Sequence, residues 1–212
     1  MRLRGRMPLS FPWARWTAVS FGVALLYSVL RYHVFGTVAS THLLLFTMNK
    51  AVSFCSLILL AAAYTVRMPG AGLSLGLAAA ALTWLHSIMS LAILTPAEYP
   101  KLYSAGRLHF LGELAVLCGC AGMLLLLIPA AVSLPAIASG ISRHQWQSCQ
   151  RCGYAVLLLT AVHVLAIGVK GWTDIAAWPG MMPPITMLSF AVAVLPLALR
   201  LRRSRRAGVK NT

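Results

Sequence analysis

Acidic residues are nearly absent from this sequence. Among 212 residues only Glu98, Glu113 and Asp174 carry a carboxylate, against 18 lysines and arginines, giving a formal net charge of +15. In a soluble chain that imbalance would point to nucleic acid. Here the bases gather at the chain ends and between apolar runs, the distribution that membrane topology and anionic lipid impose. A nucleic-acid partner is therefore not expected. A dinucleotide loop is also missing: "GAGLSLG" does not space its glycines as G-x-G-x-x-G, and no strand precedes it. No internal repeat and no soluble domain can be read. Cysteine is scarce as well. Five is an odd number, and Cys55, Cys118 and Cys120 lie inside apolar runs, which argues against a disulfide framework.

What the sequence has in abundance is apolar surface. A hydrophobic content of 59% and a mean hydropathy of +0.80 exceed what a soluble domain of this size can bury. The chain reads as an integral membrane protein whose first partner is the lipid bilayer. Six apolar runs, residues 16–35, 42–66, 72–94, 108–132, 153–169 and 178–201, each come close to the ~20 residues that cross ~30 Å of hydrocarbon. Prolines 69, 96, 100, 135 and 179 punctuate them, and prolines 183, 184 and 196 fall inside the last. The expected fold class is all-α, a polytopic bundle of six transmembrane helices. Residues 1–15 form a basic N-terminal segment, 16–201 the bundle and 202–212 a basic tail. The first run resembles a signal peptide, with "MRLRGR" before it and "TVAS" after it. Its length, and Arg31 and His33 within it, favour a retained helix. With the N-terminus inside, the inner side holds Arg2, Arg4, Arg6, Arg15, Arg67, Arg143, Arg151 and the tail "RLRRSRRAGVK". The outer side holds Arg31, Lys101, Arg107 and Lys170. This asymmetry places both termini in the cytoplasm, and the expected location is a bacterial inner (plasma) membrane.

Two histidines lie deep in these runs. His86 is in "TWLHSIMSL", fourteen positions past Gly72, and His163 is in "TAVHVLAIG", ten past Gly153. Both runs cross from inside to outside, so at ~1.5 Å per residue the two imidazoles reach a similar depth beyond the midplane. Two imidazoles at one depth on parallel helices suit the two axial positions of a haem iron. Zinc fits less well, because two histidines fill only half a tetrahedral site. The bland alternative is two unrelated polar residues bonded to neighbouring backbone. Other polar residues are read as follows. His33, His42 and His109 gather at the outer boundary, and His144 lies in an inner loop. Lys50 and Glu113 are expected to pair as buried opposite charges. A proton relay through His109 and Glu113, four apart on one helix, is the sharper alternative. Met181 and Met182 invite Cu(I) but favour packing.

The stretch "SCQRCGYAVLLLTAVHVLAIG" opens with the C-x-x-C of Cys149 and Cys152. No histidine follows Cys152, as covalent c-type haem would require, and only His144 is near enough in sequence to add a zinc ligand. A redox thiol pair is the sharper alternative although the usual βαβ setting is missing; helix-end packing is the favoured reading.

Taken in order, several segments resemble the membrane domain of the STEAP metalloreductases, within the ferric reductase-like transmembrane superfamily. They are "MNKAVSFCSLILLAAAY", "LHSIMSL", "GELAVLCG", "VSLPAIASGISRHQWQSCQRCGYAVLLLTAVHVLAIG" and "MPPITMLSF", spanning about three quarters of the chain. The resemblance implies a single haem b with His86 and His163 as axial ligands. In two-haem relatives a second histidine precedes each ligand by about 13 or 14 positions; here Gly72 and Gln150 stand there, which implies one haem. It also implies a flavin, FAD or FMN, reaching into the inner leaflet near Gln150. Two departures accompany it. The family's NADPH-oxidising domain is not found in this sequence. The basic stretch opening the family's third helix is replaced by "RMPGAGLSLG", which retains only Arg67.

The expectation is therefore a metalloreductase-like oxidoreductase that lacks an NAD(P)H domain of its own. Electrons from a cytoplasmic reductase, a reduced flavin or a quinone would arrive near Gln150 and Arg67 and reach haem at His86 and His163. They would leave outside for a chelated ferric or cupric ion drawn by Lys101, Tyr103, Arg107 and His109. Alternatives are a haem subunit that delivers electrons to a periplasmic partner enzyme, and a non-catalytic subunit of a membrane complex. Association with further copies of itself is left open.

Overall fold

The computed structural model describes residues 13–36, 40–66 and 71–209. Its long helices are α1 (Trp13–Val29), α2 (Ser40–Thr65), α3 (Ala71–Ile93), α4 (Phe110–Ala131), α6 (Arg143–Gly168) and α7 (Ile185–Val209), with a four-residue α5 (Pro135–Ala138) before α6. All six long helices are apolar enough and long enough to cross a membrane. The cause is backbone chemistry: in hydrocarbon each N–H and C=O needs a partner within the segment, and a helix supplies it. Leu44, Leu91, Phe110 and Leu117 stand exposed on the outer surface of the bundle, as lipid-facing positions do.

The elements depart from the expected runs at three places. The fifth expected run began at 153, yet α6 starts at Arg143 and takes in Cys149 and Cys152. A capping box starts it early. Ser142 Oγ accepts from the Gln145 backbone N–H, and the Gln145 side chain accepts from the Ser142 N–H. His144 is thus an exposed residue of a helical first turn, not of a loop. The sixth expected run, 178–201, contained Pro183 and Pro184; these instead precede α7, which begins at Ile185 and continues through the basic tail to Val209. Proline lacks the N–H that a helix start can spare, so the first turn follows it. Pro196 is accommodated within α7. Third, the link between α3 and α4 holds a two-stranded hairpin, β1 (Tyr103–Ser104) with β2 (Arg107–Leu108), beside an otherwise helical chain. Its turn residues Ala105 and Gly106 have φ of 49° and 76°, the left-handed pair that a two-residue hairpin needs.

Packing makes α2 the central helix. Its apolar stretch is 67% buried, against 17% for those of α1 and α3. It packs on α3 most extensively, then on α1 and α7, while α4 packs on α6 and α6 on α7; α3 and α4 touch little. Two close helix pairs, α2 with α3 and α4 with α6, thus form the bundle, and α7 packs on both α2 and α6. At the C-terminal end of α1 the backbone widens into one π turn, Leu30–Val34. It carries the buried Arg31, whose Nη1 donates to the Met182 carbonyl.

Candidate functional site

His86 is the sixteenth residue of α3 and His163 the twenty-first of α6. Counting back from the C-terminal helix ends, Ile93 and Gly168, places them about 10 Å and about 8 Å in along α3 and α6. Each is oriented by the partner helix of its own pair. His86 Nδ1 lies 2.6 Å from Oδ1 of Asn49 on α2, and Asn49 Nδ2 donates to Ser90 Oγ at 3.1 Å. His163 Nδ1 lies 2.7 Å from the backbone oxygen of Ala115 on α4. A carbonyl oxygen only accepts, so both rings carry their proton on Nδ1 and keep a lone pair on Nε2. Among the described residues His163 Nε2 makes no hydrogen bond, and His86 Nε2 has only Ser90 Oγ at the limit of 3.5 Å.

Room for the second ring comes from a glycine. A Cβ on Gly119 of α4 would stand 2.9 Å from His163 Nδ1 and 3.1 Å from Cε1. Gly119 is one turn beyond Ala115, so α4 offers the imidazole a carbonyl to bond and a gap to occupy. Asn49, wholly buried in α2, is affordable in hydrocarbon only because His86 and Ser90 satisfy its amide. These donors fit a haem iron: two imidazoles on separate helix pairs, each with Nδ1 engaged and Nε2 left over.

The other end of the bundle holds a cleft of about 990 Å³ lined by Tyr64, Gly72, Pro129, Arg143, Trp146 and Gln150, among others. It lies where α2 and α4 end and α3 and α6 begin, on the same side as the basic end of α7. Gln150 has a clear structural duty there. Its Nε2 donates to the Pro129 carbonyl at 3.1 Å and to Ser133 Oγ at 3.0 Å, closing off the last turn of α4. Tyr64 donates to the Gln150 backbone oxygen at 2.8 Å. Gly153 lets it do so, since a Cβ at that position would collide with the Tyr64 hydroxyl. Arg67 lies outside the described residues.

At the hairpin end of the bundle the four expected acceptor-site residues separate. His109 caps α4: its Nδ1 accepts from the Leu111 N–H at 3.1 Å, and Nε2–H donates to the Lys101 carbonyl at 2.7 Å. The Lys170 ammonium stands 3.1 Å from the same Nε2. Lys101 and Arg107 are exposed. Tyr103 turns its hydroxyl inward, donating to the Leu94 carbonyl at 2.9 Å. The structure thus groups Lys101 and His109 with Lys170, while the Tyr103 phenol serves the fold.

Lys50 does not pair with Glu113. Its ammonium donates to the Tyr99 hydroxyl at 2.9 Å and lies 4.9 Å and 4.5 Å from the ring centres of Phe46 and Tyr99. Glu113 is exposed in the first turn of α4, where the helix N-terminus favours its charge. Both His109 nitrogens are occupied, so no His109–Glu113 relay is assembled. Cys149 and Cys152 are free thiols, half-buried on α6, and no cluster of three or more His, Cys, Asp or Glu side chains forms among the described residues. Met181 is exposed on a 3-10 turn, and Met182 serves Arg31 through its carbonyl.

Sequence reading missed Asn49, Ser90, Ala115 and Gly119 as the seat of the histidines. Two of them left a signal: an asparagine well inside an apolar run needs a partner, and a glycine in a helix interior marks a close approach. The carbonyl of Ala115 left none. No protein-family model matches this chain, and no curated protein matches it.

Proposed function

We propose that this chain is a transmembrane electron carrier holding one haem b between His86 and His163. Electrons are taken up on the cytoplasmic side and released outside. The observation that carries this reading is the paired orientation: each imidazole gives Nδ1–H to an acceptor on its own helix pair and keeps Nε2 for a metal. A pair that merely satisfied itself in the core would not need a fixed tautomer at matching depth on two separate pairs. The resemblance to STEAP metalloreductases supports the same ligands and a single haem.

When bound, haem b supplies a one-electron centre at iron. The residues do the rest. Asn49 and Ser90 hold the His86 ring, and Ala115 and Gly119 seat the His163 ring, so neither turns when the charge at the centre changes. The apolar side chains of α2 and α6 exclude water. The inner cleft beside Tyr64, Trp146 and Gln150 has the dimensions of a small-molecule site and suits a planar donor such as a reduced FAD, FMN or quinone, supplied by a cytoplasmic reductase. With both termini in the cytoplasm of a bacterial cell, the rim of Lys101, His109 and Lys170 faces outward. Its positive charge suits an anionic metal chelate or the acidic face of a periplasmic protein. The test is a reduced-minus-oxidised spectrum of the purified protein with a haem count. One low-spin haem b per chain, lost when both histidines are replaced, is the expected result. No Soret band, or a band that survives the double substitution, overturns the reading.

A further inference from the structure

Lys50 is left without a counter-charge by the protein itself. It sits within the Leu44–Thr65 span, makes no ion pair among the described residues, and uses a single hydrogen-bond acceptor, the Tyr99 hydroxyl. The ring centres of Phe46 and Tyr99 lie 4.9 Å and 4.5 Å from the ammonium nitrogen. A lysine in a membrane bundle ordinarily faces the interior and has an anionic or carbonyl partner. Its position narrows what that partner is. Lys50 follows Asn49 on α2, the residue that orients His86. The lysine therefore enters the bundle one residue from the contact that holds His86. Tyr99 belongs to the link that crosses the outer ends of α2 and α3, so it approaches Lys50 from outside.

We propose that Lys50 receives a propionate carboxylate of the haem. The inference rests on the haem reading above and adds to it the cofactor's direction. Haem b is an apolar disc with two carboxylates on one edge. In a bundle whose two imidazoles lie nearer the outer surface, that edge turns to the nearer water, and Lys50 stands on that side. The other candidate cations are placed less well. Arg31 is bonded to the Met182 carbonyl and packs on Tyr32, at the junction of α1 with the turn before α7. Lys101 and Arg107 are exposed at the hairpin, where water screens them. Tyr99 is then the positioning residue: its hydroxyl holds the ammonium in place while two N–H donors remain for the carboxylate.

The experiment compares uptake of haem b and of its dimethyl ester, which has the same iron and ring but no carboxylate, by the full-length apoprotein in detergent. The spectrum of a bis-imidazole haem is the readout. Wild type is expected to prefer haem over the ester by about tenfold or more, Lys50→Gln to lose that preference, and Lys50→Arg to keep it. Tyr99→Phe narrows the preference while the ammonium is retained, and stands in should Lys50→Gln fail to accumulate. Lys101→Gln leaves the ratio as in wild type. Equal uptake of haem and ester by wild type overturns the assignment, as does an undiminished preference in Lys50→Gln. A wild type that takes up neither porphyrin overturns the haem reading itself, and is told apart by the missing spectrum.

Discussion

The side-chain oxygen of Asn49 lies 2.6 Å from Nδ1 of His86, and the same amide donates to Ser90 one turn further along α3. Three polar residues in an apolar bundle thereby satisfy one another and leave one imidazole nitrogen over. A ligand oriented in this way loses much of its usefulness when its partner is removed, typically about 10–100-fold in metal affinity. Asn49→Leu is expected to weaken haem binding by about that factor. Asn49→Asp keeps an acceptor at Nδ1, retains the haem and lowers its midpoint potential, because a carboxylate makes the imidazole a stronger donor. Haem titration and redox potentiometry of the two variants measure both effects. Identical behaviour of Asn49→Leu and wild type would remove Asn49 from the site.

Replacing either proposed ligand alone is expected to give a different pattern. His86→Ala or His163→Ala is expected to reduce bound haem at least about tenfold, or to leave a five-coordinate, high-spin spectrum. The protein should still reach the membrane in similar amount. A non-catalytic subunit would instead change its assembly without any change in the haem signal, so blue-native gels and spectra of the same membranes decide between them.

Gly119 offers a test that adds one methyl group. A Cβ there meets the His163 ring at 2.9 Å, and α4 and α6 pack too closely along their length for either to withdraw easily. Gly119→Ala is expected to displace the imidazole and lower haem occupancy. Gly122→Ala, three residues away on the same helix, brings its Cβ to 3.6 Å from Leu159 Cβ, an ordinary contact, and is expected to leave the haem intact. Equal haem content in the two variants would show that His163 has no need of that gap.

The proposed sites of electron uptake and haem binding lie at different levels of the bundle, so they should be separable by mutation. Gln150→Leu removes two hydrogen bonds to the end of α4, each worth about 1 kcal/mol, at the cleft and far from the histidines. Reduction by a flavin-dependent donor is expected to slow several-fold, by about the disturbance of one binding contact. Haem content and full reduction by dithionite should stay unchanged. Stopped-flow reduction in liposomes reads the difference; an unaltered rate would confine Gln150 to capping α4.

Orientation can be read with thiol chemistry. A cysteine placed at Ala105, in the turn of the hairpin, should react with a membrane-impermeant maleimide in intact cells with the outer membrane permeabilised. One placed at Ser204, on the basic end of α7, should react only after lysis. The reverse pattern would turn the molecule over and exchange the two ends of the electron path.

Most of the helical architecture was legible because it follows from one-dimensional quantities. Apolar length gives the crossings, and the lysine and arginine distribution gives an expected direction. What misled was punctuation. Pro183 and Pro184 read as a disturbance within the last helix because the apolar run continues across them, yet proline belongs before a first turn. The start of α6 at Arg143 was hidden because its first ten residues are polar; the signal was the S-x-x-Q of Ser142 and Gln145, not hydropathy. The Lys50–Glu113 pair failed for a related reason. Similar depth on two helices says nothing of rotation about their axes, and rotation carries Glu113 to the surface and Lys50 to Tyr99.

By itself, then, the sequence determined that the chain forms six apolar helices, that His86 and His163 lie at one depth, and that bases far outnumber acids. Each of these is a count along the chain, and hydrocarbon thickness and helical rise convert counts into positions. Only the tertiary structure decided which groups meet across helices: Asn49 with His86, Ala115 with His163, the gap at Gly119, and Tyr99 over Lys50. Those contacts depend on how each helix is turned about its axis and which neighbour it packs on. That is settled by many small van der Waals contacts and a few satisfied polar atoms, distributed over the whole bundle rather than written in any one segment.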